Sequence, residues 1–264
     1  RDSRMGENQL TRRIKKMKMN DLPRTKFIRK NLLTVGADSK TVKGEKFGFL
    51  TGIQYLSPFN ISGVNLCPFA EVAKCHFDCL FFAGRGRMNA TQSARLKKTM
   101  YYLENRTYFF DNLCLDIEAV IRKAERENLT PVIRLNGTSD ILFERQSFTR
   151  AGIEYQNIFE AFPNVQFYDY TKDAKNRDKL PANYDLTFSL SGAEGFARFN
   201  ALALSKGMRA AAVFRDRLPA EFIGRKVING DESDLRFLDD KNVIIGLKAK
   251  GRARHDKTGF VFDI

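Results

Sequence analysis

The sequence predicts an α/β fold: a complete or partial parallel β/α barrel of the TIM type, preceded by a basic N-terminal extension. Three observations lead there. Strand-like and helix-like stretches alternate from Phe47 onward, the connections between them are short, and 264 residues with 43% apolar content suffice for a large buried core. Repeated strand–helix–strand units imply parallel pairing through right-handed crossovers. A doubly wound open sheet is the alternative arrangement. The expected division is a basic arm over 1–46 and a barrel domain over 47–264.

The elements follow in order. "FGFLTGIQYL" (Phe47–Leu56) reads as the first strand and leads into a loop rich in cysteine. Two helices are expected over Thr91–Asn105 and Tyr108–Asn128. The second places Phe110, Leu113, Cys114, Ile117 and Ile121 on one face at helical spacing. "PVIRLN" (Pro131–Asn136) is a short apolar strand, and Phe148–Phe162 reads as a helix. "VQFYDY" (Val165–Tyr170) and "DLTFSL" (Asp185–Leu190) are strands, followed by a helix over Gly195–Lys206. "RAAAVF" (Arg209–Phe214), "RKVING" (Arg225–Gly230) and "NVIIGLK" (Asn242–Lys248) complete the series.

In such a barrel the functional side chains stand just after each strand, at its C-terminal end. That rule selects the loop around Cys67, then Arg134, Asn136 and Asp140, then Tyr170 and Lys172. Ser189, Ser191, Arg215, Asn229, Asp231 and Lys248 finish the rim. Nearly all are polar, as a purely structural rim would also be.

Composition bounds the setting. No run approaches the roughly 18 apolar residues of a membrane span, so no membrane partner is expected. Four cysteines with three clustered do not resemble a secreted disulfide framework, and a reducing cytoplasm is the simpler home. Net charge is +14, of which the first 46 residues supply +9 through 14 Lys/Arg against 5 Asp/Glu. A second basic cluster, "KAKGRARHDK", spans Lys248–Lys257. Such asymmetry suggests nucleic acid as a partner through both basic segments; a solvated, solubilising surface is the plainer reading.

The stretch "NLCPFAEVAKCHFDCLFFAGRG" gathers Cys67, Cys75 and Cys79. Thiolates at i, i+8 and i+12 can converge if the chain between them turns. Soft sulfur ligands from one loop suit an iron–sulfur cluster or zinc. Three cysteines and one open position match a [4Fe-4S] cluster; zinc, completed by His76, is the alternative metal. Cys114 reads instead as a buried core thiol. Gly84 and Gly86 permit tight backbone curvature beside a cofactor, or form an ordinary loop exit.

Other motifs are weaker. "LNGTSD" sets Asn136, two hydroxyls and Asp140 at a strand exit, where they can bind a polar ligand or cap the next turn. Lys172, with Arg134, can hold an anion belonging to a small-molecule substrate. "SLSGAEG" offers Ser191 and a helix start to a phosphate.

Three of these motifs resemble a poorly characterised bacteriophage protein family. "CPFA" (Cys67–Ala70), Cys75, Cys79 and "GRG" (Gly84–Gly86) resemble its Cys-Pro-x-Ala…Cys…Cys loop. "RLNGTSDI" (Arg134–Ile141) resembles its second element, keeping Arg134 and Asp140 but carrying Asn136 and Ser139 in place of His and Gly. "FYDYTK" (Phe167–Lys172) resembles the third. The resemblance runs from about Leu66 to Lys172 and implies an iron–sulfur barrel distantly similar to radical S-adenosylmethionine enzymes. Their Cys-x3-Cys-x2-Cys loop and Gly-Gly-Glu element are missing here, so S-adenosylmethionine stands only as a candidate ligand. Two functions follow as expectations. One is an iron–sulfur enzyme of redox or radical type, in which Arg134, Asp140 and Lys172 hold polar groups, working in the host cytoplasm. The other is a nucleic-acid-binding accessory protein with a structural metal.

Overall fold

The structure, a computed structural model, describes residues 31–36 and 39–264. The basic arm up to residue 30 lies outside the described residues. Nine strands form one sheet in the order β1-β2-β3-β6-β7-β8-β11-β10-β9. They are β1 (Leu33–Val35), β2 (Phe49–Gln54), β3 (Thr130–Arg134), β6 (Gln166–Thr171), β7 (Tyr184–Ser189), β8 (Arg209–Phe214), β9 (Glu221–Phe222), β10 (Arg225–Asn229) and β11 (Ile244–Lys248). The run from β2 to β10 is parallel throughout. Both outermost strands, β1 and β9, pair antiparallel.

The sheet does not close: where the sequence led to a complete or partial barrel, the described residues form an open, mostly parallel α/β sheet. The winding is nonetheless barrel-like, because β2, β3, β6, β7 and β8 neighbour one another in chain order. Helix α3 (Arg106–Arg126) buries Phe109, Phe110, Leu113, Cys114, Ile117 and Val120 against Ile133 and Phe167. That spacing of three and four residues is the apolar stripe read from the sequence. Helix α5 (Ala197–Ser205) packs through Ala203 onto Phe188, Ala210 and Ala212 of the same sheet face. The shorter α1 (Ser39–Glu45) and the long α2 (Asn89–Glu104), which precedes α3, complete the helices of this part of the chain.

Side chains alternate across a strand, so Val132 and Tyr168 must point away from α3. They pack with Leu235, Phe49 and Phe237. The β10–β11 connection thus folds over the face that would line a barrel interior. Phe237 meets the Phe49 and Tyr168 rings at 5.3 Å each, and Arg236 beside it is among the largest fully buried side chains. This segment, rather than further strands, covers the inner face.

The expected helix over Phe148–Phe162 is a second correction. Here β4 (Phe148–Arg150) and β5 (Ile153–Tyr155) form a separate antiparallel hairpin, and only Ile158–Ala161 is helical (α4). Ala151 and Gly152 both take positive φ, 50° and 80°, as a tight two-residue hairpin turn requires. Phe148 stacks between Phe110 and Tyr155, with ring centroids at 4.6 and 5.4 Å. The apolar residues of this stretch imitate a helical stripe while packing as a cross-strand pair. Leu33–Val35, inside the stretch read as an arm, joins the sheet edge against β2.

Candidate functional site

All the parallel strands end on one rim, and the cysteine loop leaves β2 there. The chain after β3 holds it in place: the Asp140 N–H donates to Leu66 O at 2.8 Å, and the Thr138 hydroxyl donates to Leu56 O. Asn65 Oδ1 accepts from the Cys67 N–H at 2.9 Å, turning the chain into the first cysteine. Lys74 adopts φ 58°, a left-handed turn that a lysine seldom takes and that directs Cys75 back toward the sheet. Cys79 Sγ accepts from the Phe81 N–H at 3.5 Å and starts a short turn over Leu80–Phe82.

Gly86 closes the loop against that turn. A Cβ placed there would stand 2.7 Å from Phe81 O and 2.8 Å from Leu80 O, a separation only glycine avoids. Gly84 has φ +50° with open space around it, so its requirement is backbone conformation alone.

The three loop thiols are free and half-buried. Burial pushes Cys67 well above its ordinary value, and charge on Cys79 and Cys75 pushes it further. Burial likewise raises Cys75, with Lys172 opposing, and raises Cys79 to about 12. Among the described residues, no three His, Cys, Asp or Glu side chains are gathered tightly enough to hold a single metal ion. His76 hydrogen-bonds Ala70 O through Nδ1 at 3.0 Å and lies against the Phe59 and Phe77 rings. Cys114 is fully buried on α3, in the core.

The remaining sequence-selected residues take more defined positions. Asp140 accepts from Thr171 Oγ1 at 2.9 Å, the Lys172 N–H at 2.8 Å and Arg177 Nη2 at 2.7 Å. Asn136 holds its own loop: Oδ1 accepts from Ser139 Oγ and the Ile141 N–H, and Nδ2 donates to Ile141 O. The Ser191 hydroxyl donates to Ala73 O at 2.8 Å, pinning the cysteine loop to the chain after β7. Lys172 Nζ donates to Ser189 O, Ser189 Oγ and Leu190 O. Arg134 is buried on the inner face, paired with Asp234 and 3.8 Å from Asp169, with Tyr168 and Tyr170 flanking its guanidinium. The anion beside Arg134 is thus the protein's own Asp234. Cys67, Cys75, Asp140, Lys172 and Ser191 meet around one loop, whereas Arg134 belongs to a separate buried network.

Sequence reasoning missed Arg177, Glu144, Asp169 and Asp234. Arg177 grips Glu144 and Asp140 together, and Asp169 accepts the Asn136 N–H at 2.9 Å. No local spacing marks these partners, because Asp169 lies within β6 and Glu144, Arg177 and Asp234 each lie on a different connection.

No curated protein and no solved structure matches this chain. A family model does match, over residues 26–264, which includes every residue of the rim described above. That family, of poorly characterised gene products, fits the phage proteins whose cysteine loop this sequence resembles. On that match, which covers most of its length, the chain belongs to the Gene product 88 family.

Proposed function

We propose that this Gene product 88 protein is an iron–sulfur protein of redox or radical type, holding a [4Fe-4S] cluster through Cys67, Cys75 and Cys79. One observation carries the reading: a single rim loop supplies three half-buried free thiols, Cys67, Cys75 and Cys79. The chemistry of the donor set supports it, since soft thiolates are the ligands such a cluster takes. A single tetrahedral zinc, with Zn–S of about 2.3 Å, would need its sulfurs only about 3.8 Å apart. A four-iron cluster spreads its thiolates over separate irons and so takes a wider frame. Bound there, it would supply one-electron chemistry at an iron without a cysteine ligand. Anaerobic purification with iron and sulfide analysis, visible absorption and EPR after reduction tests the reading. Four irons and four sulfides per chain are expected; a colourless protein with stoichiometric zinc, or with no metal, overturns it.

A second reading, nucleic-acid binding, is favoured by a different observation. The arginine-bearing turns Gly84–Arg87 and Gly251–His255, far apart in sequence, lie side by side on the rim. A Cβ on Gly251 would come within 3.2 Å of Ala83 Cβ, and the Arg252 guanidinium stands 4.5 Å from the Phe82 ring centroid. Arg85, Arg87, Arg252 and Arg254 are exposed around this junction. Fluorescence anisotropy with a labelled single-stranded oligonucleotide tests it. Log affinity should fall with log salt by about 0.7 per phosphate neutralised, and Arg252→Glu with Arg254→Glu should weaken binding. Affinity indifferent to salt and to those changes rejects it.

A further inference from the structure

We infer that Lys172 is a fixed internal cation that balances the negative charge of the thiolate-held group and raises its reduction potential, instead of gripping a substrate. The inference rests on the iron–sulfur reading and assigns a role within that site.

Lys172 follows β6 directly. An ammonium has three N–H donors, and here there are three acceptors: Ser189 O at 2.9 Å, Ser189 Oγ at 3.1 Å and Leu190 O at 3.4 Å. All three are neutral. The rings of Phe196 and Phe260 flank Nζ at 5.2 and 5.0 Å. Such rings stabilise a cation but do not neutralise it. Every donor is occupied, so Lys172 has none to offer an incoming ligand while it keeps this position.

Among the described residues, no carboxylate lies within ion-pair distance of Lys172 Nζ. Asp140, the acid beside it, spends its oxygens on Thr171, the Lys172 backbone and Arg177. A buried charge without a counter-charge is costly, and proteins rarely keep one. The groups at hand able to carry negative charge are the thiols. Cys75 packs against both apolar clusters, one containing Phe196 and the other Phe260. Burial lowers the affinity of Lys172 for its proton, and charge on Cys75, Asp140 and Cys67 opposes this only in part.

The consequence for the bound group is electrostatic. Each electron accepted from a reductant adds one negative charge to it, with no bond made or broken at Lys172. A positive charge fixed nearby favours the reduced form, and removing that charge makes reduction harder.

The test uses the full chain purified anaerobically, as wild type and as Lys172→Met, Lys172→Gln, Lys172→Arg and Ser189→Ala. Iron and sulfide per chain are measured first, followed by a dithionite titration monitored by EPR. The two neutral variants should keep the cluster and disfavour reduction about tenfold or more, a downward shift of about 59 mV for one electron. Lys172→Arg, which keeps the charge, and Ser189→Ala, which removes one acceptor, should stay within about threefold of wild type. Neutral variants with a wild-type midpoint overturn the inference, as does a Ser189→Ala shift equal to that of Lys172→Met. Loss of the cluster from Lys172→Arg along with both neutral variants also overturns it, because packing would then be the role. Wild type lacking iron and sulfide removes the iron–sulfur reading itself, and this inference with it.

Discussion

Arg177 Nη2 stands 2.7 Å from Asp140 Oδ1, while Nη1 of the same guanidinium reaches Glu144 at 2.8 Å. The arginine side chain is 0% exposed, so one buried cation ties two carboxylates from the connection after β3 to the connection after β6. Removing it would strand both acids. Arg177→Met is expected to cost about 3–5 kcal/mol, the range for breaking a buried pair from one side. Urea unfolding of the variant against wild type measures this. Loss of stability should accompany loosening of the cysteine loop, because Asp140 also donates its N–H to Leu66 O.

A second expectation concerns pH. Burial pushes the Asp169 carboxyl up to about 7, against the pull of the Arg134 guanidinium and the Asn136 N–H. A raised folded value means that the native state holds the proton more tightly than the unfolded chain does. The stability contributed by this group is therefore complete below about pH 4 and is lost as pH rises toward 7. Asp169→Asn cannot titrate, so wild type should weaken relative to this variant over that window. The limit is about 1.4 kcal/mol per pH unit. Denaturant midpoints at half-unit steps from pH 4 to 8 check it; a constant difference would contradict the assignment.

The cysteines should divide into two classes. Cys67→Ser, Cys75→Ser and Cys79→Ser are each expected to lose most bound iron and visible absorbance. Cys114→Ala should keep both and cost about 1 kcal/mol, as an ordinary core change does. Iron content per chain, measured alongside thermal melts, separates the classes.

The two loop glycines should differ in the same way. Gly86→Ala drives a methyl group into the carbonyls of Leu80 and Phe81, directly after Cys79. A cost of about 1–3 kcal/mol is expected, together with reduced iron content, because the backbone bearing the third thiol must move. Gly84→Ala meets open space and pays only for its left-handed conformation, about 1–2 kcal/mol, with iron retained.

The parallel strands were legible because each is a short apolar run flanked by turn residues, and the α3 stripe because Phe110, Leu113, Cys114 and Ile117 repeat at helical spacing. The cysteine loop was legible as a unit. What stayed hidden depends on distance along the chain. The partner of Arg134 is Asp234, one hundred residues away. Phe148 and Tyr155 meet across a turn whose conformation rests on Ala151 and Gly152, and their spacing also suits a helix. Lys172 looked like an open anion grip because the acceptors that occupy it are mainly backbone carbonyls, which carry no sequence signature. Barrel closure was misjudged for a related reason. Leu235 and Phe237 read as loop residues, yet they cover the face that additional strands would have enclosed.

The two outermost strands have a consequence for how copies of the molecule behave together. β1 offers three residues and β9 only two, and each runs against the grain of the strands beside it. A foreign peptide trying to extend the array by main-chain pairing finds a very short row of amides at either border. Even at the crowded concentrations of overexpression, stacking of one molecule onto the next through these margins is disfavoured.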